Sequence, residues 1–192
     1  MAGNPTLVQV EEKPIANIVR VDITTEEAEP KRYSITTADE GTYTPVVSEG
    51  SENILRTKNT IHAIDSKEDI QYGSDIKLKD LLFTPEVLAI IDGGTIKTST
   101  VETVTKVTGY EGPVVGQPVK RKKFTLDIYT EEKDTSTETV GYQKFSFPGC
   151  KGTPVEFSFK DGEYMSPEYT VKSRPGKGKA PFDLDFLEQL PE

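Results

Sequence analysis

Few residues in this chain could carry chemistry, and they are scattered. His62 is the sole histidine and Cys150 the sole cysteine in 192 residues. A catalytic triad would have to recruit His62 from the segment Thr60-Ile61-His62-Ala63-Ile64, which reads as a strand with no nucleophile elbow near it. One cysteine excludes an internal disulfide and any zinc site resting on several thiolates, so Cys150 reads as a small buried hydrophobe. Gly176-Lys177-Gly178-Lys179 lacks the spacing and the strand-to-helix setting of a phosphate loop and reads as a linker. Carboxylates abound, but nothing selects a pair at the separation glycoside hydrolysis needs, and the lack of Trp weakens a sugar-stacking platform. Asp65 to Asp69 with Asp75 does not match a calcium loop. The residues therefore point away from an enzyme, and no cofactor or metal is expected.

Charge narrows the classes further. A net charge of −9 and a pI near 4.8 oppose tight wrapping of nucleic acid, which needs cationic surface to displace counterions from phosphate. Lys120-Arg121-Lys122-Lys123 is the exception, and without aromatic neighbours it reads as a solvated strand entrance or a charge contact between subunits. There is no run of 18 apolar residues, and Met1-Ala2-Gly3-Asn4-Pro5 leads into a charged segment without a signal-peptide core. The expectation is a protein made in a cytoplasm, with no membrane insertion by this chain.

The elements follow from periodicity and punctuation. Thr84, Pro85 and Glu86 read as the capped start of one short helix over 84–92, ended by Gly93 or Gly94. Leu88 and Ile91, with Val87 and Ile90, make it apolar enough to require burial against a sheet or a neighbouring subunit. Ile15 to Ile23 and Arg32 to Thr37 read as paired strands; Ile54 to Ile64 reads as a strand, and after a turn at Asp65 to Asp69 the next strand puts Ile70, Tyr72, Ile76 and Leu78 on one face. Between Thr37 and Ile54, residues 38–53 carry Asp39, Glu40, Glu49 and Glu52 and read as a long polar loop, a candidate contact element. Thr95 to Thr108, Phe124 to Tyr129, Tyr142 to Phe147, and Val155 to Phe159 reversing at Asp161-Gly162 into Tyr164 to Ser173 complete eight or nine strands. Residues 1–14 are too poor in apolar groups for a core layer, and 176–192 follow a Gly-Lys linker with Phe182, Leu184 and Phe186. Both read as arms around a domain spanning 15–175. The fold class is mainly β: a β-sandwich with one short flanking α-helix and extended terminal arms.

Three stretches, Phe83 to Gly94, Lys123 to Tyr129, and Tyr142 through Gly152 and Phe157–Glu163 to Pro175, together resemble the tail tube (major tail) proteins of long-tailed bacteriophages. The resemblance covers roughly the C-terminal two-thirds and lies in packing and turn signatures and their order. It implies a structural subunit that assembles as stacked hexameric rings into a hollow conduit for DNA delivery into the host cell. The implied partners are further copies of the chain and other tail proteins, namely tape measure, tail terminator and baseplate or tip proteins, with double-stranded DNA passing through unbound. The implied location is the virion tail, assembled in the host bacterial cytoplasm. Mapped onto this sequence, strands near 32–37, 54–64, 95–107 and 120–130 would line the lumen, with Glu102 and Asp127 as candidate lumen carboxylates. Residues 38–53 would be the stacking loop. Asp39, Glu40, Glu49, Glu52, Phe182, Leu184 and Phe186 would make contacts between rings. The alternative is a carbohydrate-binding or host-attachment β-sandwich module of a phage or cell surface.

Overall fold

Strict alternation of apolar and polar side chains forces the central strands to bury one face, and the computed structural model, which describes residues 10–101 and 104–192, shows where they bury it. The main sheet runs β2 (Arg32–Ile35), β1 (Ile15–Thr25), β9 (Phe124–Lys133), β10 (Thr139–Gly152), β11 (Glu168–Ser173), β6 (Ile70–Asp80), β3 (Ala38–Ser48), with β12 (Asp183–Leu187) on the other edge of β10. All these neighbours are antiparallel. Among the described residues, β4 (Glu52–Thr57) pairs only with β5 (Thr60–Ser66), and β7 (Thr95–Val101) only with β8 (Val104–Glu111).

The sheet doubles over into two layers. Val21, Ile23, Phe124, Leu126 and Phe147 from one layer pack with Ile76, Leu78, Tyr169 and Val171 from the other in one core. At the open end β3 lies over β1: a Cβ built on Gly41 would sit 3.5 Å from the Ile18 side chain and 4.0 Å from that of Ile128. The turn between layers is made within β10. Its first part pairs with β9 and β12, its last residues Cys150–Gly152 pair with β11, and the register breaks between Phe147 and Cys150. Gly149 takes φ +64 there, its N–H donates to Glu26 (2.9 Å), and Ser173 Oγ donates to the Pro148 carbonyl (2.7 Å). Cys150 is fully buried at this corner, and burial pushes its thiol up to about 12.

The helix, α1 (Pro85–Asp92), forms as its sequence dictates, with Pro85 at the start and Gly93 at φ +87 closing it through a hydrogen bond to the Ala89 carbonyl (3.1 Å). One detail differs. The Thr84 side chain makes no cap hydrogen bond; only its carbonyl serves, accepting from Leu88 N–H (3.1 Å). Leu88 and Ile91 are buried in the subunit's own core, so the apolar helix needs no neighbour. Gly152 allows this close approach: a Cβ there would lie 2.1 Å from the Ile91 carbonyl oxygen.

Two sequence expectations are corrected, and the basic run before β9 takes the solvated strand entrance expected of it. Residues 38–53 are not an irregular loop but mostly strand, because β3 zips along β6 over its whole length. Val155 to Phe159 forms no strand; its one ladder contact is the bridge Glu156 to Glu168, and Phe159 and Tyr164 are left almost fully exposed. The 120–123 run precedes β9 as coil, where Glu26 N–H donates to the Lys123 carbonyl (2.8 Å) and Lys122 pairs with Glu27.

Two outcomes follow. Gly152→Ala should lift α1 off the sheet at a cost of about 2–4 kcal/mol, read as a fall in denaturant midpoint, while Thr84→Ala should change stability by no more than about 0.5 kcal/mol. Glu131 is held down to about 2, first by the hydrogen bond from Asn17 and then by those from Thr139 and Lys133. The fold therefore favours its carboxylate, and the unfolded chain binds the extra proton. This contribution is whole above the ordinary glutamate range and fades as pH falls toward 2. Glu131→Gln should flatten that part of the stability–pH curve in acid titrations followed by circular dichroism.

Candidate assembly surfaces

The two outlying hairpins are where the chain departs from a self-sufficient domain. β3 and β6 pair from Ala38 with Asp80 out to Ser48 with Ile70, and the same register resumes at Glu52 with Ser66 and continues through Ile54 with Ile64. The segment from β3 to β6 is thus one long hairpin arm. Its outer part, from Ser48 to the turn at Lys58 and Asn59, extends roughly 30 Å at the rise of an extended strand. Lys58 at φ +52 makes that turn. Because opposed residues share a face, Ile54 and Ile64 stand together, and Arg56 stands with Ile61. Ile54, Ile61, Ile64, Ile70 and Tyr72 are 42–66% exposed, with Leu55 exposed on the opposite face. A soluble monomer does not keep such a stripe in water without a use for it.

The second hairpin, β7 and β8, is rich in threonine. Thr98 opposes Val107, and Thr100 and Thr105 share a hydrogen bond of 3.1 Å. Each arm is two strands wide beyond the body, so among the described residues each presents unpaired backbone along both outer edges.

Both arms are anchored where they leave the sandwich. For the long arm, Arg174 donates to the Ser74 carbonyl and to Asp75 (2.8 Å each) and lies 5.7 Å from the Tyr72 ring centre. Gly73 leaves the space that Arg174 fills, since a Cβ there would meet Arg174 Cδ at 2.6 Å. At the opposite end of β6, inside the body, the fully buried Asp80 accepts from Thr37 Oγ1 (2.5 Å). For the second arm, Tyr110 donates to Asp92 (2.6 Å) and accepts from Gly94 N–H (3.1 Å), while Asp92 also accepts from Val155 N–H (3.3 Å). Burial, then the bond to Asp92, raises the Tyr110 hydroxyl well above its ordinary range.

The C-terminal segment is not a free arm. β12 pairs along β10 from Tyr142 with Leu187 to Ser146 with Asp183, within its own subunit. Phe182 packs edge-on to Tyr43 (5.3 Å between ring centres) and against Phe147 (6.1 Å), tying the tail to the root of the long arm. Leu184 and Phe186 remain 39% and 58% exposed, and Lys13 lies over the Phe186 ring. The N-terminal segment is described only from residue 10; there Lys13 bridges Glu11 and Glu132, and Pro14 accepts from Lys133 N–H.

The remaining residues singled out from the sequence scatter. Asp39 and Glu40 are exposed on β3, an edge strand of the main sheet, while Glu49 and Glu52 are exposed along the middle of the long arm. Glu102 lies outside the described residues. Asp127 sits mid-sheet on β9, where Ser146 Oγ donates to it (2.6 Å) and Lys144 lies 3.5 Å away, so its charge is answered within the subunit. The four segments expected to line a lumen do not form one sheet: 32–37 and 124–130 belong to the body, 54–64 and 95–107 to the arms. Residues 54–64, expected as one strand, instead turn back at Lys58-Asn59 into β4 and β5, which extend the β3–β6 hairpin. The matched polar and apolar spacing on either side of Lys58-Asn59 was the available signal.

Among the described residues, no group of three or more His, Cys, Asp or Glu is arranged to hold a metal ion, and no helix is long and apolar enough to cross a membrane. No protein family model matches this chain, and no curated protein matches it. Among solved structures it is similar to a chain of the anti-feeding prophage (AFP) baseplate, determined by cryo-EM with 6-fold symmetrisation. The identity is 8%, the TM-score 0.44, and the match covers 95% of this chain and 97% of that one. So low a score leaves the likeness too loose to assign a role.

Arg174→Ala should cost about 1–2 kcal/mol and speed amide exchange at Ser74 and Asp75, with exchange in β9 unchanged. Equal acceleration throughout the sandwich would show that Arg174 holds the body and not the arm root.

Proposed function

We propose that this chain is a structural subunit of a phage-tail-like tube whose hairpin arms join those of neighbouring copies into a shared β-barrel around a channel. The observation that carries the reading is the pair of two-stranded arms, exposed on both faces and unpaired at both outer edges, each rigidly anchored to a well-packed body. A two-stranded hairpin is marginal in water by itself, and a long free edge invites pairing. Edge-to-edge addition of arms from successive copies satisfies the backbone, and closing the ring leaves no edge over. The apolar stripe of the long arm then meets its neighbours' bodies or arms, and the threonine-rich arm suits a wall along which a duplex slides without grip. The stacked hexameric rings, the DNA conduit and the tail partners named above belong to this proposal. The role of the wall rests on the arms and not on Asp127, whose charge is met by Lys144.

A second reading, attachment to a host glycan, has one observation in its favour. Phe157 and Phe159 stack at 6.4 Å in an exposed segment, and Phe83 lies 6.3 Å from Phe157. Retention on a glycan array that Phe157→Ala and Phe159→Ala abolish would favour it.

The first reading is tested by Ile61→Glu with Ile64→Glu. Both side chains lie outside the core, so the melting temperature should stay within about 2 °C of the parent, while assemblies seen by negative-stain microscopy and sedimentation should disappear. A parent chain that stays monomeric at every concentration and salt tested, or a double variant that assembles as the parent does, rejects the shared-barrel reading.

A further inference from the structure

Lys151 on β10 and Lys172 on β11 stand directly opposite one another, and both are exposed. Like charges at opposed positions weaken a sheet, and this ladder is only three residue pairs long, so the arrangement works against the corner that joins the two layers. Lys123 lines the same surface cavity of about 380 Å³, together with Gly149, Gly152 and Arg174. Among the described residues, no carboxylate lies within 4.0 Å of these three lysine ammonium groups, whereas Lys77, Lys122 and Lys144 each have one. Glu26 reaches the same corner through Gly149 N–H (2.9 Å) and Arg174 is paired with Asp75 (2.8 Å), so what stands without a close partner, on a chain of net charge −9, is the cluster of three lysines.

We propose that this notch receives the acidic middle of the long arm of a neighbouring copy. That part of the arm carries Glu49, Glu52, Asp65, Glu68 and Asp69 against the single cation Lys67, and all five carboxylate residues are exposed. The notch and the arm's acidic middle are thus complementary in sign and present on every copy, as a repeating contact requires. A phosphate polymer is the less favoured occupant, because the surrounding net negative charge repels it at any distance salt does not screen. The inference rests on the self-assembly reading above and adds the partner surface for the arm.

The test pairs K151E/K172E with E52K/E68K. Each variant alone should lose assembly at low salt, because notch and arm then carry the same sign. An equimolar mixture should recover it, since each notch again finds an opposite arm. K151Q alone should raise the melting temperature by about 1–2 °C, showing that the lysine pair is not retained for stability. A dilution series of the isotope-labelled parent chain reports the contact even where no tube forms. Amide shifts at Lys123, Lys151 and Lys172 should grow with concentration and vanish in high salt and in K151E/K172E. Normal assembly of K151E/K172E, or concentration-independent shifts, overturns the inference while leaving the shared barrel standing. Loss of all assembly in the parent would instead reject the barrel. A duplex oligonucleotide that binds the parent chain and not K151E/K172E would assign the notch to phosphate and overturn the arm contact.

Discussion

Everything in this subunit depends on one strand serving two layers. β10 pairs with β9 and β12 before its bulge and with β11 after it, so the sheet turns from one layer to the other at Pro148 and Gly149 without breaking the chain of pairing. The bend is fixed from several sides: Glu26 reaches Gly149 from the end of β1, Ser173 holds the Pro148 carbonyl from β11, and Cys150 fills the inside of the corner. Because a bulge re-aims side chains and strengthens local twist, the corner also sets where α1 can sit. Gly152, two residues on, is where the helix backbone touches the sheet.

That rigid body gives the arms their purpose. A hairpin two strands wide cannot hold a fixed direction from its own bonds, so its position is inherited from its root. Each root here is a buried or half-buried polar knot: Arg174 with Asp75 and the Ser74 carbonyl for one arm, Asp92 with Tyr110 and Gly94 for the other. Arg174 follows β11 directly, and Asp92 ends α1, the element that Gly152 seats. Phe182 adds a third link, since its contact with Tyr43 couples the C-terminal strand to the long arm.

Much of this was legible in the residues. The helix at 85–92 followed from Pro85, the apolar run and Gly93, and the body strands followed from alternation at Phe124-Leu126-Ile128 and Val21-Ile23. Local punctuation failed where tertiary pairing decided. Residues 38–48 are polar and carry Gly41 and Pro45, a composition that reads as loop, yet β6 offers a complete ladder and an edge strand tolerates a proline whose missing donor faces outward. Val155 to Phe159 alternates as a strand should but finds no partner beyond one bridge. The tail from 183 looked like an arm awaiting a neighbour because the cost of ordering it rivals the burial of three side chains. The open edge of β10 supplies the backbone partners that this comparison lacked. Neither the notch of lysines nor the arm roots could be read ahead of the fold, since each gathers residues far apart in sequence.

Under the proposed shared barrel, the same physics favours closing a ring over extending a sheet. Adding one arm to another satisfies one edge and exposes an equivalent one, so each step of open growth gains the same pairing and leaves the same liability. Closure is the only step that removes an edge without creating another, and it therefore contributes pairing beyond that of any addition before it. Arms directed by rigid roots make the angle between successive copies nearly fixed, which turns that gain into a preference for one ring size over a distribution of sizes. A subunit with loose roots would retain the sticky edges and lose the geometry, and its edges would then lead to aggregates in place of rings. In the proposed assembly, the half-exposed ion pair of Arg174 with Asp75 and the buried Asp92 with Tyr110 are polar contacts that give each arm a fixed direction where apolar packing alone would not.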